Sequence, residues 1–291
     1  MRFADRRPGK THKNENFPVA SLLLAPQHRQ PILAFYNFAR LADDIADSPA
    51  LTPKAKLERL DRLEAGLDGT TTQDAVSVAL KATLAARGLS DEHPRALLKA
   101  FRQDITVKRY LNWRELMDYC ANSAMPVGRF VLDLHGEART TWRASDNICA
   151  ALQIINHLQD CGQDYQQLNR VYIPISLLVK NAASVEDLGA RQASDRIRAA
   201  ITTLAAQAGQ LLDVGEHLSA QVKDARLARE IAVIIALARN NVKKLRVEDP
   251  LQGGGRTGKA EALYIAFATL LREQRQRATT PSERNADDVG V

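Results

Sequence analysis

Two stretches of this 291-residue chain set oxygen-bearing side chains at helical intervals. In the first, Tyr36, Arg40, Asp43 and Asp47 stand at i, i+4, i+7 and i+11, the repeat of a single helix face. Carboxylates one turn apart repel, so Asp43 and Asp47, with Asp44 beside them, destabilise an isolated helix unless a cation offsets them. The cluster also falls at the end of its helix, where the macrodipole disfavours negative charge. In the second stretch, Gln153, Asn156, Asp160 and Asp164 follow at i, i+3, i+7 and i+11. One acidic row alone reads as a solvated helix end. Two rows on separate long helices point to a shared divalent-metal site.

Magnesium prefers oxygen ligands, keeps several waters, and is typically held by one or two carboxylates plus substrate phosphates. Facing rows inside a helical bundle offer that arrangement, with a diphosphate supplying the remaining oxygens. The expected ion is Mg2+, with Mn2+ as the alternative.

The elements carrying these rows read as helices. Ala, Leu, Arg, Gln and Glu dominate, apolar positions recur at helical spacing, and alternating β-branched runs are scarce. Helices are expected over 31–47, 53–67, 73–87, 94–108, 113–135, 145–164, 193–220, 225–247 and 259–276. Pro53 and Pro94 suit first-turn positions, and Gly69 and Gly88 suit helix stops. The fold class is all-α: one helical domain over 17–275 around a central apolar cavity, with a basic flexible arm at 1–16 and a flexible tail at 276–291.

Hydrophobic residues make up 45% and charged residues 25% of the chain, ordinary globular usage that excludes wholesale disorder. A net charge of +6 admits nucleic acid, a membrane surface or an anionic small molecule as partner. Aromatics are only 5% and no RNA-binding signature or zinc-finger spacing occurs, so nucleic acid is not expected. Cys120, Cys149 and Cys161 form no CxxC pair, which argues against a disulfide framework or a zinc site and for a reducing cytoplasm. Apolar runs such as 231–238 are too short to span a bilayer, so any membrane contact is peripheral, at the inner face of the plasma membrane.

The residues resemble the squalene and phytoene synthase family, the head-to-head prenyl synthases. Asn16-Phe17-Pro18-Val19-Ala20-Ser21 is similar to its opening segment, Arg40 to Asp47 to its first aspartate motif, and Asn156 to Asp164 to its second. Phe101-Arg102-Gln103-Asp104 with Arg109-Tyr110, Tyr119 leading into Val127-Gly128, and Arg170-Val171-Tyr172-Ile173-Pro174 resemble further motifs. Two departures, Gln159 where most members have arginine and Ser123-Ala124-Met125 in the cavity wall, resemble the bacterial hopanoid-pathway branch, the hydroxysqualene synthases.

The resemblance implies an isoprenoid synthase fold and a carbon–oxygen lyase that ionises presqualene diphosphate and captures the cation with water. Asp43, Asp47, Asn156, Asp160 and Asp164 are then metal ligands. Ser21, Tyr36, Arg40, Arg109, Gln153, Gln159, Arg170 and Tyr172 face substrate, and Tyr119 joins the aspartates as a catalytic residue. Arginine's planar fork suits phosphate oxygens; for Arg109 a surface ion pair is an equal reading. The carbocation calls for a dry cavity, with Phe17, Tyr36, Phe38, Tyr119, Val127 and Leu158 as candidate walls. Core packing explains any one of these as well. Gln159 is a trial assignment for holding the quenching water. No NADPH is expected, and hand-over to other squalene-pathway enzymes follows from an oily product.

Two features are set aside. Gly253-Gly254-Gly255-Arg256-Thr257-Gly258-Lys259-Ala260 nearly spells a P-loop but ends in Ala and follows no strand, so it reads as a flexible interhelical loop. His157 reads as a packing or surface residue. The competing functions are condensation of two prenyl diphosphates by the same family and a non-enzymatic helical binding protein with a structural acidic patch.

Overall fold

A computed structural model describes residues 25–279. Among the described residues the chain forms α1 (Pro26–Asp47), α2 (Pro53–Asp68), α3 (Ala75–Arg87), α4 (Glu92–Thr106), α5 (Trp113–Ser123) and α6 (Met125–Leu134). It continues through α7 (Trp142–Leu168), α8 (Ile175–Lys180), α9 (Asp195–Gly215), α10 (Leu218–Gln221), α11 (Ala225–Leu245) and α12 (Lys259–Thr279). The described residues hold no strand beyond an isolated parallel bridge between Arg109 and Val171. The fold is all-α, and no described helix is long and apolar enough to cross a membrane. The expected arm at 1–16 lies outside the described residues, and α12 continues to Thr279, past the expected start of the tail at 276.

Local chemistry sets the ends. Thr52, Asp74, Asn112, Ser194 and Asp224 each accept a backbone N–H in the first turn of the helix they precede, satisfying donors that a helix start leaves orphaned. Gly69 and Gly88 end α2 and α3 with φ of 80° and 62°, where glycine carries no Cβ penalty. Helix α1 begins five residues before the expected Pro31, which sits inside it. Pro31 has no N–H to offer Gln27 one turn back, and Arg87 donates to that Gln27 carbonyl instead at 2.7 Å.

The expected helix over 113–135 is two helices. At Ala124 the backbone turns to φ −126°, ψ −46°, and Pro126 in the first turn of α6 has no N–H with which to continue α5. The expected helix over 193–220 stops at Gly215, with α10 following, and the short α8 was not anticipated. Helix α7 lies at the centre, packed most extensively on α9 and α6, while α1 packs on α3 and α4. Phe35 of α1 stacks on Phe130 of α6 at 4.0 Å between centroids, 8° from parallel, and Phe38, Leu98, Ile155 and Leu158 are fully buried. Each such side chain contributes about 1.5–3 kcal/mol by leaving water.

Gly128 permits the close approach of α6 to α7: a Cβ there would lie 2.3 Å from Ser145 Oγ and 2.6 Å from Cys149 Sγ. Gly128→Ala should therefore cost about 1–3 kcal/mol as an overpacked core site. Urea unfolding measures it; an unchanged midpoint would mean that the two helices do not approach this closely.

Candidate active site

On α1 the face 35, 38, 42, 45 is buried core, and the face 36, 40, 43, 47 is turned toward the site and only partly covered. Arg40 donates to Asp43 Oδ2 at 3.1 Å and to Asp44 Oδ1 at 2.6 Å. The outer atoms of Asp43 reach solvent, but protein surrounds its carboxyl on the remaining sides. That burial, then the charge of Asp47, raise the Asp43 pKa well above the usual carboxylate range despite Arg40. The arrangement is a concentration of negative charge that its own surroundings do not neutralise.

On α7, Gln153, Asn156, Asp160 and Asp164 are all half-buried. Gln153 Nε2 donates to His157 Nε2 at 2.9 Å, so the other ring nitrogen, Nδ1, carries the proton that faces Asp164 Oδ2 at 3.9 Å. The His157 ring lies flat on Tyr172, 3.4 Å between centroids and 12° from parallel. The packing role expected for His157 is what its contacts describe, and it also braces Asp164. Asp160 Oδ1 receives Arg256 at 2.5 Å.

A buried hub joins the rows. Asp104 of α4 is 4% exposed and accepts the hydroxyls of Tyr119 at 2.9 Å and Tyr172 at 3.0 Å. Burial raises its pKa, against the opposing pull of Arg170 and the two tyrosine hydroxyls. Arg170, 5% exposed, donates to the Asp104 carbonyl at 3.1 Å and to Asp47 Oδ1 at 2.6 Å. A run of contacts therefore leads from Asp47 through Arg170, Asp104, Tyr172 and His157 to Asp164.

Other expected residues have different places. Ser21 and Phe17 lie outside the described residues. Arg109 is neither a surface ion pair nor turned to the aspartates: it donates to the carbonyl and side-chain oxygens of Asn169 at 2.5 and 2.6 Å. It thereby braces the left-handed residue, φ 52°, that ends α7. The hydroxyls of Tyr119 and Tyr172 are committed to Asp104. Phe38 and Leu158 are core, and Val127 is 40% exposed, outside any dry wall. Gln159, 4% exposed, donates to the Gly255 carbonyl at 2.6 Å, a bond that holds a loop.

That loop corrects the expectation of a flexible connection. No strand precedes it, but Thr257 N–H donates to Asn241 Oδ1 at 2.8 Å and Gly255 N–H to Glu248 Oε2 at 2.8 Å. Gly255 has φ 83° with Leu245 pressed against it. The pinned loop delivers Arg256 to Asp160 and to the Gln159 carbonyl at 3.1 Å. A polar groove of about 480 Å³ opens beside Asp160, Gln163 and Arg256; it is not the apolar chamber expected. Beside Asp47, Lys56 donates to the Ala46 carbonyl and Lys108 to the Asp104 carbonyl, each at 2.7 Å. Burial, then Arg170, lower both lysine pKa values. Arg256, Lys56 and Lys108 are the basic groups that sequence reasoning missed; Arg256 and Lys108 are distant in sequence from the row they face, and Lys56 lies on the next helix, nine residues after Asp47.

An all-oxygen set of four aspartates and Asn156 fits a hard divalent cation. Fold and site together define a class: an all-α bundle in which two helices present paired aspartates beside clustered cationic side chains. Residues 10–257 match the squalene/phytoene synthase family, and the chain belongs to that family of enzymes. It is 48% identical to hydroxysqualene synthase from Rhodopseudomonas palustris, over 93% of this chain and 92% of that one. It is also 48% identical to the hydroxysqualene synthase of Sinorhizobium fredii, over 98% of each. Among solved structures, a squalene synthase from Alicyclobacillus acidocaldarius superposes with TM-score 0.65 at 32% identity, covering 89% of this chain and 87% of that one. A ligand-bound dehydrosqualene synthase has the same fold, with TM-score 0.78 at 22% identity over 89% and 92%.

A carboxyl whose pKa rises on folding destabilises the fold once it ionises, so stability falls as pH climbs above the unfolded value toward the raised folded one. Asp43→Asn mimics the neutral form. Its thermal midpoint in metal-free buffer should exceed that of the wild type at pH 8, and the gain should vanish below the ordinary aspartate pKa of 3.8. Differential scanning calorimetry across that range checks this; a lower midpoint at pH 8 would mean that the Arg40 contact outweighs the repulsion.

Proposed function

We propose that this chain ionises presqualene diphosphate and captures the resulting carbocation with water, releasing hydroxysqualene and diphosphate. The observation that carries the reading is the pair of aspartate rows, each engaged by cationic side chains and linked through the Asp104 hub. Near-full-length similarity to relatives named hydroxysqualene synthase supports this choice within the family.

Asp43 and Asp47 on α1, with Asn156, Asp160 and Asp164 on α7, would hold magnesium. When bound, the ion supplies Lewis-acid neutralisation of the leaving diphosphate without proton transfer. The chain's own residues do the rest. Arg40 and Arg256, 27% and 35% exposed at the side chain, would turn from aspartate to phosphate oxygens. Arg170 keeps Asp47 aimed. The C–O bond breaks with both electrons going to diphosphate; a water oxygen then bonds to carbon and releases a proton. His157, Tyr172, Tyr119 and Tyr110 form an aromatic cluster beside the rows, His157 stacked on Tyr172 and Tyr119 tilted against Tyr172 and Tyr110, whose π faces favour a nearby cation.

The same geometry serves condensation of two prenyl diphosphates, and the substrate assay separates the two. Purified chain with magnesium and presqualene diphosphate, without NADPH, should yield hydroxysqualene by mass spectrometry. Turnover of farnesyl diphosphate with none of presqualene diphosphate would defeat the proposal. Asp160→Asn should lower kcat at least a hundredfold at an unchanged thermal midpoint, and Arg256→Gln should raise KM as well as lower kcat.

Peripheral membrane contact is the companion proposal. Leu263, Tyr264, Phe267 and Leu271 line an exposed apolar face of α12, with Leu263 and Tyr264 more than 70% exposed. A net charge of +6 favours anionic lipid. The chain should float with anionic liposomes, and Phe267→Glu should abolish this; flotation that survives the change would rule out α12 as the contact.

A further inference from the structure

Far from the aspartate rows, three segments distant in sequence bring two imidazoles and a carboxylate together. His28 lies in the first turn of α1, His135 caps the end of α6, and Asp224 caps the start of α11. One donor atom from each lies within 4.8 Å of the other two, and the imidazole centroids are 4.0 Å apart at a 32° tilt.

Nitrogen chemistry at this cluster is incomplete. His135 Nδ1 donates to the Val131 carbonyl at 2.7 Å, which fixes the tautomer and leaves Nε2 with a lone pair, the arrangement found behind metal-bound histidines. That Nε2 and His28 Nδ1 are both buried without a hydrogen-bond partner among the described residues. Asp224 spends Oδ1 on the backbone N–H groups of Arg226 and Leu227, at 2.7 and 3.0 Å, and its other oxygen remains for the cluster. Glu137, 7% exposed, fixes Asp224 by accepting its N–H and that of Lys223, each at 3.0 Å.

We infer that His28, His135 and Asp224 form a site for one transition-metal ion of the zinc type, with water as fourth ligand. Two imidazole nitrogens and one carboxylate oxygen are a borderline donor set that zinc accepts and magnesium does not favour. Donors around a tetrahedral ion with bonds near 2.0–2.1 Å sit about 3.3 Å apart, so binding draws these side chains inward. A second cluster, Glu92, His93 and Asp133, makes a useful contrast. There His93 Nε2 meets Asp133 Oδ2 at 2.9 Å, Trp142 donates to Asp133 Oδ1 at 3.1 Å, and Arg139 donates to Glu92 at 3.1 Å. That network is satisfied within the protein and leaves nothing for an ion to do.

Fifteen residues of α1 separate His28 from Asp43, about 22 Å along the axis at 1.5 Å per residue. The ion therefore takes no part in chemistry at the aspartates. It ties the start of α1 to the end of α6 and the start of α11, so the helix bearing the first aspartate row is anchored at its far end. Arg87, whose guanidinium donates to Gln27, is a positive charge that opposes an ion here, while burial, then His135, lower the His28 pKa and favour the neutral ring.

The test is a Co2+ titration of full-length, chelator-treated chain in saturating magnesium, which occupies the aspartate rows. One equivalent should produce a visible d–d absorption band, one equivalent of Zn2+ should displace it, and the thermal midpoint should rise. His28→Ala and His135→Ala should each abolish the band while turnover stays within about twofold. Asp224→Asn, which retains the helix cap, should weaken Co2+ binding at least about tenfold, and it serves if a histidine variant fails to fold. Absence of a band in the wild type, or a band that survives these substitutions, would overturn the site.

Discussion

Four carboxylates on two helices cannot share a partly buried region unless cationic or N–H groups meet them. The chain supplies that charge to three of them, Arg40 to Asp43, Arg170 to Asp47 and Arg256 to Asp160, and turns the His157 ring N–H toward Asp164. Arg40 and His157 lie on the helices of the aspartates they face, but Arg170 and Arg256 come from other segments, so closing the bundle is what brings these last two cations to the site. The compensation is incomplete at Asp43, where burial and Asp47 outweigh Arg40. A carboxyl that the fold keeps from ionising is one that a cation would stabilise as its anion, which is the physical basis of the proposed function.

Asp104 gives this electrostatic arrangement its rigidity. A buried carboxylate is costly unless its oxygens are hydrogen-bonded, and here both oxygens are taken by tyrosines from α5 and from the segment after α7. Arg170 bonds the backbone of the same residue while gripping Asp47. Changes at Tyr119 or Tyr172 thus act on the aspartates through position. The pinned loop before α12 does the same for the second row: Asn241, Glu248 and Gln159 hold its backbone so that Arg256 arrives at Asp160.

The helices and both aspartate rows are legible in the sequence because a helix face is a local pattern, written within twelve residues. Helix breaks are legible only in part. Pro126 carries the signal for the division of α5 from α6, but apolar periodicity runs through it. What is not legible is partnership across long separations. Arg256 reaches Asp160 over 96 positions and Arg170 reaches Asp47 over 123, and no local spacing announces either. The near-P-loop segment misleads for the same reason: its glycines serve tight turns against Leu245 and Glu248, not phosphate. Arg109 and Gln159 sit within recognisable motifs, yet their hydrogen bonds go to backbone and loop, which motif membership does not reveal.

The central claim is that the two rows bind cations in common around a diphosphate. Anomalous diffraction from crystals soaked in Mn2+ and inorganic diphosphate measures this most directly. The account predicts manganese peaks in coordination range of Asp43 or Asp47 and of Asp160 or Asp164, bridged by one diphosphate. Manganese at one row only, or diphosphate bound away from both, would contradict it.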